Sequence, residues 1–379
     1  MSEESLNTEE SERRWLENPG ILTRHERVWR SRQQWLEEHG YMLRSRYKPG
    51  WVPSWVGTKR WYNHCVDGPM NPTGLRVIDA TRISDGTFVM LKWVKVDNPS
   101  EVEITRYLSS KPLTSDPRNH CNPVLDVLPL PDPRDGALLV TPMLRPFDNP
   151  RFETFGEAVS FFSQIFIGLQ FLHEHRIAHR DCTSGNIMME PIMFPKPYHP
   201  IKIERRRDWK GRAAYYTRTE CPPRYLFIDF GLSIRYPDSD DGPHLELPIR
   251  GGDKTAPEHT GHNYLVPCDP FATDVYYLGN LIREQFLQVC FRRPRKRYGF
   301  NFMGCLVADM VQDDPSKRPK IDEVVRRFEI IRKSLSWWKL RSRIRGRKEI
   351  TPVRFWRACI HIYHTTLYLA TRTPAIPDA

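Results

Sequence analysis

The stretch His179-Arg180-Asp181-Cys182-Thr183-Ser184-Gly185-Asn186, followed later by Phe227-Ile228-Asp229-Phe230-Gly231, decides the fold and the chemistry. Each stretch places a carboxylate in a turn beside an apolar run, and the first adds an amide at Asn186. Carboxylate and amide oxygens are ligands that Mg²⁺ accepts, and a further carboxylate can take the proton of a hydroxyl. The two stretches together therefore predict a site that holds Mg²⁺ and orients a hydroxyl for phosphoryl transfer.

Length and composition allow one large or two moderate domains with a buried core. The chain has 379 residues, of which 39% are hydrophobic and 27% are charged. Its eight cysteines include no C-x-x-C pair, which argues against a zinc knuckle or a disulfide framework and favours a reducing compartment. The start, Met1-Ser2-Glu3-Glu4, is polar and unlike a secretory signal. We therefore expect an intracellular protein of the cytoplasm or the nucleus.

The net charge is +11, with basic runs at 205–207, 292–297 and 341–348. Such runs are typical of nuclear import signals and of contacts with acidic partners, and equally of solvated surfaces. The apolar stretch 353–371 is interrupted by an arginine and two histidines. It predicts an amphipathic helix that packs on the protein, and no transmembrane segment.

The first part of the chain has the pattern of strands. Residues 76–96 alternate around Asp85-Gly86, which predicts a hairpin, and 125–143 contain two strand-like runs. A short helix over 100–109, with Ser100 as its cap, separates them. One further helical piece is predicted at 28–39. The segment 47–55 is rich in proline and tryptophan and is expected to wrap a surface.

After Pro146 the pattern becomes helical. Apolar residues recur at helical spacing in 162–172, and further apolar helices are predicted at 275–287, 302–311 and 321–335. A strand-rich part followed by a helix-rich part predicts an α+β fold.

From about 62 to 335 the chain resembles a eukaryotic-type protein kinase. The resemblance rests on landmarks in the expected order, namely Val89-Met90-Leu91-Lys92, Glu101 with Ile104 and Leu108, the two stretches quoted first, Ala256-Pro257-Glu258, Asp274-Val275-Tyr276-Tyr277-Leu278-Gly279, and Asp314-Pro315 with Arg318-Pro319. The sequence is also similar to a kinase-like family expanded in mushroom-forming fungi. That similarity includes the segments Tyr47-Lys48-Pro49-Gly50-Trp51 and Pro374-Ala375-Ile376-Pro377.

The resemblance implies a two-lobed protein-kinase fold with a β-rich N-lobe and a helical C-lobe. It implies an N-terminal extension at 1–61, the N-lobe at 62–144, the C-lobe at 145–335 and a basic, aromatic C-terminal extension at 336–379. The C-lobe carries a basic insertion at about 190–222, where kinases have a short hairpin. This insertion could dock an acidic partner or form a solvated flap, and no nucleic-acid-binding motif accompanies it.

The resemblance also implies a role for each site residue. Asp181 is the candidate base, and Asn186 and Asp229 are candidate Mg²⁺ ligands. Lys92 would hold the α- and β-phosphates of ATP, with Glu101 fixing its flexible side chain and Glu103 as the second choice for that partner.

Other roles concern the adenine pocket and the frame of the catalytic loop. Val77, Thr141 and Leu144 are candidate residues around the adenine. Glu258 and Arg318 are expected to form a buried pair, and Asp274 is expected to cap backbone amides of the catalytic loop. The candidate phosphorylation sites of the activation loop are Ser233, Tyr236 and Ser239.

Two departures from the kinase pattern bear on activity. The Gly-rich loop is absent, since the chain reads Asp67-Gly68-Pro69-Met70-Asn71-Pro72-Thr73-Gly74-Leu75 there and both prolines remove N–H donors. Thr183 stands where serine/threonine kinases usually carry lysine, and Lys254 is a candidate substitute for that charge.

The expected function is an ATP- and Mg²⁺-dependent kinase for protein hydroxyls, with serine and threonine favoured. The absent Gly-rich loop keeps open a kinase-fold scaffold without turnover. A small-molecule phosphotransferase of the aminoglycoside or choline type is a further alternative, although such enzymes lack the Ala-Pro-Glu and late Asp-Pro segments.

Overall fold

The computed structural model of this protein is a mixed α+β structure that divides into two compact units. It describes residues 20–68, 76–240, 242–249, 253–287, 299–345 and 350–378. Unit 1 comprises Met1–Pro99, Val124–Met143 and Phe194–Tyr215, and unit 2 comprises Ser100–Pro123, Leu144–Met193 and Tyr216–Ala379. Two predicted features lie outside the described residues: the basic run 292–297, and the prolines of the segment that replaces the Gly-rich loop.

Unit 1 is built on a five-stranded antiparallel sheet in the order β1-β2-β3-β5-β4. The strands are β1 (Tyr41–Met42), β2 (Val77–Arg82), β3 (Phe88–Val94), β4 (Asp126–Pro129) and β5 (Ala137–Pro142). The predicted hairpin is confirmed, because β2 pairs with β3 around a turn in which Gly86 adopts φ +72°. The two strand-like runs of 125–143 are likewise confirmed as β4 and β5.

The N-terminal residues supply part of the core of this sheet. Helices α1 (Arg24–Ser31) and α2 (Gln33–Glu38) replace the single helical piece predicted over 28–39. Trp29, Leu36 and Tyr47 are fully buried and pack with sheet residues in one apolar cluster. Tyr47 is thus a core residue, although the segment 47–55 was expected to wrap a surface.

Part of the predicted basic insertion, Phe194–Tyr215, belongs to unit 1. The buried carboxylate of Asp79 forms ion pairs with Arg44 and Arg207, each at 3.0 Å. The guanidinium of Arg207 also lies 4.3 Å from the centre of the Phe88 ring. This basic side chain of the insertion therefore serves the interior of unit 1 and is not available to a partner.

Unit 2 is mainly helical. Its helices are α3 (Pro99–Leu108, whose first residue belongs to unit 1), α4 (Phe155–Glu174), α5 (Pro270–Ile282), α6 (Gly304–Met310), α7 (Ile321–Ser334), α8 (Trp337–Arg341) and α9 (Thr351–Ala370). Its short strands are β6 (Arg145–Pro146), β7 (Ile177–Ala178), β8 (Ile187–Met189), β9 (Tyr225–Phe227) and β10 (Ile234–Arg235), which pair as β6-β8-β9 and as β7-β10.

These helices follow the sequence prediction with two corrections. Helix α3 begins at Pro99, so Ser100 lies inside the helix and is not its cap. Helix α5 begins earlier than predicted, because Asp269 caps it and Pro270 follows, and it ends in a π-helical turn over Arg283–Leu287.

Helix α4 is the centre of unit 2. Thr154 and Glu157 form a capping box at its start, and it packs against α7, α8 and β9. Within the described part of the chain it alone is long and apolar enough to cross a membrane, and 78% of its apolar window is buried inside the protein. It is therefore accounted for as a core helix.

Gly168 allows α4 to approach its neighbours closely. A Cβ atom at this position would lie 2.6 Å from Cβ of His120 and 3.0 Å from the Phe227 ring. In most helices an exchange of glycine for alanine stabilises by about 0.5–1 kcal/mol. Here the close packing outweighs that gain.

We expect Gly168→Ala to destabilise the protein by about 1–3 kcal/mol, the usual cost of overpacking a core. The matched control is Gly304→Ala at the start of α6, where an added Cβ meets no atom within 4 Å. That control should be neutral or mildly stabilising. Urea unfolding midpoints measure both, and equal midpoints for the two variants would contradict the packing described here.

Candidate functional site

The stretch 179–186 is anchored by Asp274 of α5. The carboxylate of Asp274 is fully buried, and its two oxygens accept hydrogen bonds of 2.7 Å from the backbone N–H groups of His179 and Arg180. Arg180 adopts a left-handed φ of +65°, an unfavourable conformation for a residue with a side chain. The carboxylate therefore fixes a strained turn, in the capping role predicted for it.

His179 connects this turn to the stretch that carries Asp229. The backbone N–H of Asp181 donates to Nδ1 of His179 at 3.3 Å, and Nε2 lies 3.2 Å from the carbonyl oxygen of Ile228. Burial lowers the pKa of His179, despite the nearby carboxylates of Asp274 and Asp229. A neutral ring that accepts at Nδ1 and donates at Nε2 satisfies both contacts.

Asp181 and Asn186 are in direct contact. The side-chain amide of Asn186 donates to Oδ2 of Asp181 at 2.7 Å and to its backbone oxygen at 3.0 Å. The buried Oδ1 of Asp181 has no hydrogen-bond partner among the described residues. One carboxylate oxygen is therefore positioned by Asn186, and the other is buried without a hydrogen-bond partner among the described residues.

The surroundings of Asp181 suit a proton acceptor. Burial raises the pKa of this carboxyl to about 6, the Asp229 charge adds to the increase, and the hydrogen bond from Asn186 opposes it. A carboxylate whose pKa approaches the working pH is a better general base than an ordinary exposed aspartate.

Asp229 is brought to the same place through the backbone. The N–H of Ile228 donates to the carbonyl oxygen of Asn186 at 3.0 Å. Asp229 has a left-handed φ of +64°, and its Oδ1 accepts from the N–H of Gly231 at 3.3 Å. Strained backbone of this kind is concentrated at functional sites.

The side chains of Asn186 and Asp229 fit Mg²⁺ that arrives with a nucleotide. Within the described residues no group of three or more histidine, cysteine or acidic side chains is arranged around a metal position. Mg²⁺ commonly binds proteins through one or two carboxylates and takes its remaining ligands from water and substrate phosphates. One carboxylate and one amide oxygen match that requirement.

A cavity of about 370 Å³ within unit 2 adjoins this site. Its lining residues are Asp181, Thr183, Ser184, Asn186, Asp253, Tyr277, Asn280, Leu281, Glu284 and Gln285. Lys254 is exposed and is not a lining residue, and its role as a substitute for the missing lysine stays a prediction. Asp253 lines the cavity and is hydrogen-bonded to Asn280. Three carboxylates in the lining make the cavity acidic.

The predicted buried pair is also present. Glu258 and Arg318 form a bidentate ion pair of 2.5 and 2.9 Å, and Thr273 donates to the same carboxylate at 3.1 Å. Burial alone would raise the pKa of Glu258, but the hydrogen bonds and charge of Arg318 outweigh it and lower the pKa. This pair joins the segment 256–258 to the segment that precedes α7.

Three of the predicted nucleotide residues share one face of the sheet in unit 1. Val77 pairs with Lys92, and Thr141 pairs with Met90, two residues before Lys92 on β3. Because directly paired residues point to the same side, these side chains lie together on the half-exposed face. The opposite face, with Ile78 and similar residues, forms the buried core.

The two remaining predicted residues lie in unit 2. Glu101 is buried in the first turn of α3, and Leu144 is half-buried just before β6. Cys182, beside the candidate base, is fully buried, and burial raises its pKa well above the ordinary value, so it packs as a small apolar residue.

Two of the three candidate phosphorylation sites are engaged inside unit 2. Ser233 is buried and donates to the carbonyl oxygen of His179 at 3.0 Å. Tyr236 is buried, stacks on His244 at 3.9 Å, and donates to Glu246 at 3.1 Å. Ser239 is exposed, which leaves it as the accessible hydroxyl of the three.

Two comparisons of the sequence with known proteins return no match. No model of a known protein family matches the chain, and a search of curated proteins returns no similar sequence.

Asp274→Asn tests how far the site depends on its anchor. An amide offers one acceptor where the carboxylate offers two, and it turns an N–H₂ group toward a backbone donor. We expect a loss of about 2–4 kcal/mol in the free energy of unfolding, from weakened charge-assisted hydrogen bonds. Urea denaturation followed by circular dichroism measures it.

The matched control is Asp269→Asn at the cap of the same helix. Asp269 accepts from Phe271 N and Ala272 N, and asparagine caps helices about as well as aspartate. A similar stability loss in both variants would show that Asp274 acts only as an ordinary helix residue.

Proposed function

We propose that this chain is an ATP- and Mg²⁺-dependent protein kinase that transfers the γ-phosphoryl group to a protein hydroxyl, with serine and threonine as the favoured acceptors. The observation that carries the proposal is the state of Asp181. One oxygen is fixed by Asn186, the other has no hydrogen-bond partner among the described residues, and burial raises the pKa of the carboxyl to about 6. Such a group can orient a hydroxyl and accept its proton.

The other residues of the site have supporting roles in this proposal. Asp229 and Asn186 would supply oxygens to Mg²⁺, which neutralises the phosphate charge when bound with ATP. Asp274 and His179 position the base through the backbone and do not touch the reacting atoms. The roles of Lys92 in phosphate binding and of Glu101 as its partner stay predictions from the resemblance.

The Glu258–Arg318 pair favours a protein kinase over a small-molecule phosphotransferase. It joins the two segments, Ala256-Pro257-Glu258 and Asp314 to Pro319, that distinguish the sequence from the aminoglycoside and choline enzymes. Its side chains are buried and its geometry is bidentate, as expected for a structural element rather than a chance surface contact.

The test is phosphorylation of the protein itself and of a peptide library, read by mass spectrometry after incubation with Mg-ATP. We expect Asp181→Asn to reduce phosphoryl transfer by roughly 10²–10⁴-fold, the usual contribution of a positioned base. Asp313→Asn, at an exposed aspartate, is the matched control and should leave transfer unchanged. Transfer that survives equally in both variants would contradict the role of Asp181.

A second candidate is a kinase-fold scaffold that has lost turnover, favoured by Pro69 and Pro72 where kinases have a glycine-rich loop. Thermal unfolding with and without Mg-ATP separates the two. A nucleotide that binds the folded state stabilises it by about 2.7 kcal/mol at ~100 times its dissociation constant. No stabilisation at millimolar Mg-ATP favours the scaffold, whereas stabilisation together with transfer that depends on Asp181 supports the kinase.

A further inference from the structure

Helix α9 turns its polar side toward the protein. Tyr368 is the buried side chain of this helix, and its hydroxyl lies 2.6 Å from Oγ1 of Thr217. The guanidinium of Arg341 lies 5.1 Å from the Tyr368 ring, and His364 lies 3.7 Å from the carboxylate of Glu153. Helical spacing places His361 and Arg357 on the same stripe. The contacts of α9 with unit 2 are thus mostly polar.

The apolar side of α9 faces outward. Phe355 is 71% exposed, Trp356 67%, Ile362 64% and Tyr363 67%, and Leu367 and Leu369 continue the row. The face runs along a helix of 20 residues, about 30 Å, and carries no charged side chain. A helix that only covers a core buries its apolar side and exposes its polar side. An exposed apolar surface of this size indicates a binding surface.

The charge around this face defines its partner. Between residues 341 and 372 the sequence has eight basic residues and one acidic residue. Arg341 is buried and Arg357 lies on the inward stripe. Arg345, Arg354 and Arg372 are exposed. Two copies of the chain would bring these basic residues against each other, which argues against self-association. Anionic headgroups complement them, and tryptophan and tyrosine favour the boundary between headgroups and acyl chains.

We propose that the outward face of α9 binds the surface of an anionic lipid bilayer, with the helix lying parallel to the membrane plane. Its aromatic and aliphatic side chains would enter the interfacial region, as amphipathic helices with basic flanks do. The polar stripe through Tyr368 would keep the helix attached to unit 2 while the apolar face is bound. This inference does not depend on the proposed kinase activity.

The experiment is co-sedimentation of the full chain with vesicles of phosphatidylcholine, with or without phosphatidylserine. We expect binding to the vesicles that contain phosphatidylserine and release at high salt. The double variant Phe355→Ser/Trp356→Ser should bind at least about tenfold more weakly, since it removes two aromatic side chains that would be buried in the bilayer interface. Arg345→Glu/Arg354→Glu, at two exposed arginines, should weaken binding only to the anionic vesicles.

The matched control is Trp61→Ser, which removes a tryptophan of unit 1 that is 59% exposed and should leave vesicle binding unchanged. The changed side chains are all on the surface, so far-ultraviolet circular dichroism should show every variant folded. No sedimentation of the wild type, or equal sedimentation of the wild type and the Phe355/Trp356 variant, would overturn the proposal. So would a dimer in light scattering that this double variant abolishes, or binding to an acidic protein such as calmodulin in place of vesicles.

Discussion

The candidate site depends on one buried carboxylate that binds two consecutive backbone N–H groups. Without Asp274, the amides of His179 and Arg180 would be buried without acceptors, at about 1–3 kcal/mol each. The left-handed backbone at Arg180 adds a conformational cost that the hydrogen bonds to Asp274 must also offset. Charge-assisted hydrogen bonds are the strongest available to a neutral backbone, and here they hold the turn that carries Asp181.

Hydrogen bonds of His179 and Asn186 then fix the position of Asp181. His179 accepts from the Asp181 amide on one side and reaches the Ile228 carbonyl on the other, while the Asn186 carbonyl accepts from the Ile228 amide. These contacts join the two sequence stretches through backbone atoms, which allow little variation. The environment that holds Asp181 also withdraws it from water, so positioning and the raised pKa have the same cause.

Sequence reasoning succeeded where a feature depends on local pattern or on two matched motifs. The β2–β3 hairpin follows from alternation around Asp85-Gly86, and the pairing of Glu258 with Arg318 follows from two recognisable segments. It failed where the outcome depends on long-range packing. Nothing in the sequence marks Trp29 as a core residue of the sheet. The same holds for Asp253, which lines the cavity beside Asp181.

Long-range contacts also fix the basic insertion on the rest of unit 1. Within unit 1, His199 lies 3.2 Å from the carbonyl oxygen of Val66, Trp209 donates to that of His64 at 2.7 Å, and Arg207 pairs with Asp79. Ordering a segment costs about 1–2 kcal/mol per residue in backbone entropy, and these contacts offset part of that cost on folding.

A flap that is merely solvated gains nothing comparable, so the anchored part of the insertion is a structural element of unit 1. Its exposed basic side chains, among them Lys202, Arg205, Lys210 and Arg212, are presented on a fixed backbone. An acidic partner that met them would not have to order the loop, and the entropic cost of binding would be correspondingly smaller. This anchoring argues against a free solvated flap, and docking of an acidic partner stays a prediction.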